Sequence, residues 1–151
     1  MRRARGAVLA VLLTALGTTL IGGCGGDPKD EYCAAVKDHQ QELSDIVGSG
    51  KPDALLAALP IFHELQRKAP EDITDEWQQV VGRIEALQQA LRDAGVDPAT
   101  YDRSKPPPGL GAADRAKIDA AAKELGSGTT LRALQDLDQQ ARDVCQTPLT
   151  V

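Results

Sequence analysis

From about residue 30 onward, apolar residues recur every three or four positions and polar residues fill the positions between them. This spacing is typical of α-helices with one apolar face, and no stretch alternates as a half-buried strand would. The pattern predicts an all-α fold, a compact bundle of four to five helices. The apolar faces expected on successive helices are Tyr32, Val36, Leu43 and Ile46; Leu55, Leu56, Leu59, Phe62 and Leu65; Ile73, Trp77, Val80, Val81, Ile84, Leu87 and Leu91; Leu110, Ile118, Ala122 and Leu125; and Leu131, Leu134, Leu137, Ala141 and Val144.

Glycine, proline and capping residues divide this pattern into separate helices. The expected boundaries are a first helix over about residues 30–47; a second that opens at Pro52-Asp53 and is kinked or split at Pro60; a third capped by Asp72 or Thr74 and ended by Gly95; a fourth over 112–125; and a fifth that starts at Thr129 or Thr130.

The amino-terminal segment has the organisation of a secretory signal. Three arginines precede an apolar stretch over residues 7–21, which runs into Gly22-Gly23-Cys24. The stretch is shorter than the roughly 20 apolar residues that a spanning helix needs. The cysteine stands where small residues mark a cleavage site, which favours a bacterial lipobox with Cys24 as the lipidated first residue. An ordinary cleaved signal and an uncleaved anchor are the alternatives.

Lipidation of Cys24 predicts a location at the cell membrane, on its extracytoplasmic face. Each buried methylene contributes about 0.8 kcal/mol and one chain anchors only marginally, so a diacylglyceryl group provides the more stable attachment. The chain then divides into a signal peptide over residues 1–23, a lipidated tether over 24–30, a helical domain over 31–148 and a tail over 149–151.

Three cysteines leave one without a partner in an exported protein. If Cys24 carries lipid, Cys33 and Cys145 remain, and disulfides persist outside the cytoplasm. Free thiols or a metal site are the rival interpretations, but no histidine stands near either cysteine at ligand spacing. We therefore expect a Cys33–Cys145 disulfide that joins the start of the domain to its end.

This bond restricts the topology, because five helices alternating up and down would leave the two cysteines at opposite ends. The linker over residues 97–109 contains Pro106-Pro107-Pro108 and favours an extended form of about 3.1 Å per residue, hence roughly 40 Å. The third helix spans about 30 Å. We therefore expect the proline-rich linker to be a crossover that runs back along the bundle.

Length and charge narrow the classes of partner. Removal of the first 23 of 151 residues leaves 128, which suits one domain with a core. The removal takes three of the 17 basic residues and leaves 14 against 22 acidic ones, a formal charge of −8. An acidic, aromatic-poor domain is a poor candidate for binding nucleic acid. The covalent lipid is then the expected contact with the membrane.

Candidate catalytic residues are few. His39 and His63 lie on different predicted helices without a ligand motif, so we interpret them as rim or solvated residues. No nucleophile motif and no phosphate-binding glycine loop is present, and we expect no enzyme, no metal and no cofactor. One cluster of acidic residues lacks the sequence pattern of a calcium loop. We interpret it as the start of a helix, where carboxylates are favourable; it comprises Glu71, Asp72, Asp75 and Glu76.

Two aromatic residues and several glutamine pairs complete the candidates. Trp77 stands on an apolar face and is expected in the core, and Tyr101 in the linker is expected to pack over the bundle or to be an exposed contact. The glutamine pairs are compatible with a partner-binding face without indicating one.

Five segments give the chain a resemblance to small actinobacterial lipoproteins of unassigned function. They are Glu31-Tyr32-Cys33, Leu59-Pro60-Ile61-Phe62, Ala69-Pro70-Glu71-Asp72-Ile73 with Trp77, Pro107-Pro108-Gly109-Leu110, and Gln140-Ala141-Arg142-Asp143-Val144-Cys145. The resemblance implies export and a helical fold, and it implies no activity.

The favoured hypothesis is a membrane-anchored, non-enzymatic lipoprotein that acts through a protein partner at the cell envelope. The alternative is a carrier of a small ligand or lipid with a pocket between its helices, which a large aliphatic cavity would support.

Overall fold

The computed structural model describes residues 27–151, and the predicted signal peptide and Cys24 lie outside this range. All regular structure in the described range is helical, which agrees with the all-α prediction. The elements in chain order are α1 (Pro28–Gly48), α2 (Ala54–Ala57), α3 (Leu59–Lys68), a 3₁₀ turn (Glu71–Ile73), α4 (Thr74–Asp93), α5 (Ala112–Leu125) and α6 (Gly128–Cys145).

Helix α1 begins two residues earlier than its periodicity predicts. The Asp27 carboxylate accepts a hydrogen bond from the Lys29 backbone N–H at 3.0 Å, which caps the helix. Pro28 occupies the first helical turn, where its missing N–H costs nothing. Residues 28–30, expected in the tether, therefore belong to the helix.

The second predicted helix is split, as the proline predicts. α2 ends at Ala57 and α3 starts at Leu59, with Pro60 in its first turn. The expected caps of α4 are wrong, because Ile73 occupies the cap position and no side chain accepts a bond there. The Thr74 hydroxyl donates instead to the Pro70 carbonyl at 3.2 Å.

The crossover predicted for the proline-rich linker is wrong. Pro98 and Tyr101 lie against Leu91 near the end of α4 and against Ile118 of α5. Arg103 of the linker donates to Asp119 of α5 at 2.8 Å. The linker therefore stays at the end of the bundle where α4 stops.

The chain instead returns along α4 through two consecutive helices, α5 and then α6. Ile118 of α5 lies beside the end of α4, whereas Thr130 at the start of α6 accepts a hydrogen bond from Gln79 near the start of α4 at 3.1 Å. α5 and α6 thus both run antiparallel to α4, with Gly126-Ser127 between them. The Ser127 side chain caps α6 by accepting from the Thr130 N–H, and the helix begins at Gly128, one residue before the predicted start at Thr129 or Thr130.

The core follows the predicted apolar faces with one exception on α6. Trp77 is fully buried and contacts Tyr32 and Phe62, as expected for a core residue. Leu131, expected inside, is 50% exposed, because the buried face of α6 passes through Thr130 instead. Leu149, assigned by sequence to a tail, is buried in the core, so the packed region extends beyond residue 148.

Candidate functional site

Cys33 and Cys145 are joined at the end of the bundle where α1 begins and α6 ends. Their Cα atoms are 5.0 Å apart, and the bond connects positions 112 residues apart in the chain. Both cysteines are buried. The disulfide holds the start of α1 against the end of α6, the last helix.

A concave surface between α1 and α2, which we call the α1–α2 groove, has a volume of about 580 Å³. Its lining comprises Asp38, Gln41, Glu42, Asp45, Ile46, Ser49, Lys51, Asp53, Ala54 and Ala57. Ile46, Ala54 and Ala57 supply apolar surface, and the remaining residues are polar or charged. The groove thus combines apolar contact area with a charged rim, as protein interfaces do.

The charge of the groove is strongly negative, with four carboxylates against the single ammonium of Lys51. Among the described residues, Asp38, Asp45 and Asp53 form no ion pair. Gln41 donates to Asp45 at 3.0 Å and keeps that carboxylate on the rim. Such a surface attracts cationic groups and repels anionic ones.

The sequence pattern does not predict this groove, although part of the signal for it is present. The acidic residues 38, 42 and 45 follow one another at helical spacing, so they share one face of α1. Asp53 and Lys51 belong to the turn before α2, and the folding of that turn onto α1 has no periodic signal. Sequence could therefore have indicated an acidic helix face but not a groove.

A second concavity, which we call the central cavity, lies where α1, α2, α3, α4 and α6 converge. It has a volume of about 220 Å³. The residues that line it are Leu43, Val47, Leu55, Phe62, Trp77, Leu134, Asp138, Leu149 and Thr150. Seven of these nine side chains are apolar.

The two histidines join neighbouring helices through carboxylates. His39 of α1 lies 3.1 Å from Glu64 of α3, and His63 of α3 lies 3.3 Å from Glu85 of α4. Glu64 also bonds Lys68, and this hydrogen bond, followed by that to His39, lowers the pKa of Glu64. The imidazoles thus sit at the bundle rim, as interpreted from sequence, and each contacts acidic side chains.

The remaining candidates lie apart from both concavities or on their edges. The four acidic residues at residues 71–76 occupy the 3₁₀ turn and the first turn of α4, where carboxylates favour the positive helix end. Within residues 27–151, no group of three or more His, Cys, Asp or Glu side chains is arranged to hold a metal ion. Tyr101 is half-buried against α4 and α5, in agreement with packing over the bundle.

In the described range, none of the helices has both the length and the apolar character that crossing a membrane requires.

The chain was compared with known proteins at the level of family, sequence and structure: no family model, no curated protein and no solved structure matches it.

Proposed function

We propose that the protein is a non-enzymatic binding module, anchored by lipid on Cys24 to the extracytoplasmic face of the cell membrane. The lipobox-like sequence Leu20-Ile21-Gly22-Gly23-Cys24 supports the anchor, and a disulfide between the other two cysteines is consistent with export.

The position of the α1–α2 groove supports action on a partner outside the membrane surface. A helix rises about 1.5 Å per residue. The groove residues of α1, from Asp38 to Ile46, therefore lie roughly 15–30 Å along the helix from Pro28, which follows Cys24 by four residues in the sequence. A lipid on that cysteine leaves the groove on the part of α1 remote from the anchor.

The acidic rim of the groove is the observation that carries the proposal. Its net charge favours a basic protein segment, and Ile46, Ala54 and Ala57 would contact small apolar side chains of that segment. The partner class is thus an envelope protein with an exposed basic stretch. The same acidic rim disfavours phosphate-rich and nucleic-acid partners.

The experiment is site-specific photocrosslinking in intact cells. A photoreactive amino acid replaces Gln41 in the groove or, as a matched control, Gln139 on α6. Both glutamines are exposed and bond an aspartate four residues ahead, Asp45 and Asp143, at 3.0 and 2.9 Å. A discrete protein adduct is expected from position 41 and not from position 139.

Charge reversal makes the test specific. Asp45→Lys is expected to remove the adduct formed at position 41, whereas Asp143→Lys is expected to leave it unchanged. Equal adducts at positions 41 and 139, or an adduct that persists in Asp45→Lys, would contradict a charge-recognising groove.

A lipid carrier receives less support from the cavity volumes. Ligand sites for drug-sized molecules measure about 300–1,000 Å³. The central cavity, at about 220 Å³, is smaller than that. The core residues Leu43, Leu65 and Leu137 are almost fully buried, so the helices pack against one another rather than around a lipid.

A further inference from the structure

We propose that the basic segment bound by the α1–α2 groove is an α-helix whose lysines or arginines stand at positions i, i+4 and i+7. This inference rests on the function proposed for the groove. It adds the conformation of the partner segment and the spacing of its charges.

The α1 side of the groove is one continuous stripe along a helix. The intervals between its residues are three positions or one, so they share one side of α1; they are Asp38, Gln41, Glu42, Asp45 and Ile46. At 1.5 Å per residue the stripe is about 12 Å long, which is more than two helical turns. Its four polar residues are exposed. The stripe is therefore long enough to contact two turns of a second helix.

The carboxylates of the stripe repeat at the spacing of a helix. Asp38, Glu42 and Asp45 stand at i, i+4 and i+7, about 10 Å from first to last. Cationic side chains at the same positions of a second helix span the same distance and lie within about 60° of one another around its axis. In an extended segment, three successive side chains on one side span about 13 Å. A helix thus matches the three carboxylates more closely than an extended segment does.

The walls of the groove offer side chains rather than free backbone groups. In α2, the amides of Ala57 and Ala58 bond the carbonyls of Asp53 and Ala54 at 2.9 and 3.0 Å. An extended segment gains its main-chain hydrogen bonds at a sheet edge, whereas a helix satisfies its own backbone. Because all regular structure in the described range is helical, the groove has no sheet edge to provide such bonds. The partner conformation that suits it is a helix.

The acidic stripe is unfavourable to α1 itself. Like charges three or four residues apart on a helix repel each other, and this applies to Asp38 with Glu42 and to Glu42 with Asp45. Among the described residues, the ion pair made by this stripe is that of Glu42 with His39, at 3.6 Å. Three cationic groups on a partner helix would offset the repulsion. A face that destabilises the free helix and is neutralised by a partner supports a docking role.

The test uses three synthetic peptides of about 15 residues, a length at which an alanine-rich sequence begins to form a helix in water. The face peptide has three lysines, at i, i+4 and i+7. The scattered peptide has the same composition, with its lysines at i, i+2 and i+5, so that they point to different sides of the helix. The proline peptide is the face peptide with a central alanine replaced by proline, which breaks the helix.

Binding of each labelled peptide to the full chain, purified in a non-ionic detergent, is measured by fluorescence anisotropy at low salt, where exposed charges are little screened. The face peptide is expected to bind about fivefold more tightly than the scattered peptide, because it forms two further exposed ion pairs that each contribute about two- to threefold. The proline peptide is expected to lose this advantage.

Two charge-reversal variants locate the binding site. Asp45→Lys replaces an attraction by a repulsion and is expected to weaken binding of the face peptide about fivefold. Asp143→Lys changes the net charge of the protein equally and is expected to leave binding unchanged. Both aspartates are exposed and both accept a hydrogen bond from a glutamine four residues earlier. Thermal melting checks that both variants are folded.

The inference is supported if the face peptide binds best and Asp45→Lys alone weakens it. Equal affinities of the face and scattered peptides overturn the helical partner, and if Asp45→Lys weakens both, the charge-recognising groove itself still stands. The inference is also overturned if the face peptide shows no saturable binding or if the two variants bind it alike. The photocrosslink at position 41 then decides separately on the proposed function.

Discussion

The indole N–H of Trp77 donates to the hydroxyl of Tyr32 across 3.3 Å, where the start of α4 meets the start of α1. Both side chains are fully buried, and their rings meet edge to face with centroids 6.5 Å apart. The bond satisfies the tryptophan donor inside the core, which would otherwise be left without a partner. Burial of Tyr32 also disfavours the charged, deprotonated form of its phenol.

This burial predicts a loss of stability at high pH. Burial raises the pKa of Tyr32 from 10.0 to about 12, with Asp72 adding a smaller increase and the Trp77 bond opposing it. Because the folded-state pKa is the higher one, the contribution to stability is complete below pH 10 and is lost between pH 10 and 12. The loss amounts to about 2–3 kcal/mol, measured by urea unfolding across this range.

The two tyrosines of the chain provide the comparison for that titration. Tyr32→Phe is expected to flatten the loss above pH 10, and to cost about 1–3 kcal/mol at neutral pH because the Trp77 N–H loses its acceptor. Tyr101→Phe is expected to keep the alkaline loss, and to cost nothing at neutral pH because its buried hydroxyl has no partner among the described residues. Identical pH profiles for the two variants would contradict the assignment.

The disulfide is expected to be a main source of stability. Closing a loop of about 100 residues is worth up to roughly 4.7 kcal/mol in the chain-entropy model. Replacing Cys33 and Cys145 together by alanine should lower the free energy of unfolding by about 2–5 kcal/mol in a urea titration. Reductant should destabilise the parent protein to a similar degree and leave the double variant unchanged; an equal effect of reductant on both would argue against this bond.

The orientation of α6 can be tested with two leucines six positions apart. Leu137 is fully buried and Leu131 is 50% exposed. Leu137→Ala should cost about 2–5 kcal/mol through lost burial and a residual cavity. Leu131→Ala should change stability by no more than about 0.5 kcal/mol. Comparable losses in thermal or urea unfolding would mean that α6 is rotated from the orientation described.

Local periodicity predicted the helices well because each apolar face is contained within its own segment. The boundaries of α5 agree with the predicted 112–125, and the split at Pro60 is confirmed. Leu131 shows the limit of this reasoning. The Thr130 hydroxyl is buried and donates to the Glu124 carbonyl at 2.9 Å, which turns the next residue, Leu131, toward solvent. A pattern of hydrophobic residues cannot predict this hydrogen bond.

The arrangement of the helices depended on a choice that the sequence leaves open. Gly126-Ser127 is compatible with a hairpin between α5 and α6 or with a corner between two helices that continue in one direction. The prediction assumed a hairpin and therefore needed a linker that crosses the bundle. The structure has the corner, which places Cys145 beside Cys33 without any crossover. The segment over residues 147–151 also lacked a signal in the sequence, since Gln40 and Ser44, which hold it, lie more than 100 residues away.

The corner between α5 and α6 depends on Thr130, which is the one buried polar residue in the described range. Its hydroxyl accepts from Gln79 and donates to Glu124, so it ties α4, α5 and α6 together. Thr130→Val keeps the shape and leaves both partners unsatisfied, which should cost about 1–3 kcal/mol. Thr129→Val, at the exposed neighbouring position, is the control and should be close to neutral in the same unfolding assay.

The proposal of a lipid-anchored module is tested most directly by the intact mass of the protein extracted from the cell membrane. The account predicts a chain that begins at Cys24 and carries the added mass of a diacylglyceryl group, usually with a further acyl chain on its amine. It also predicts that Cys24→Ala releases a folded protein into the medium. A membrane-bound chain that begins at Met1, or one that begins at another residue without added lipid mass, would contradict it.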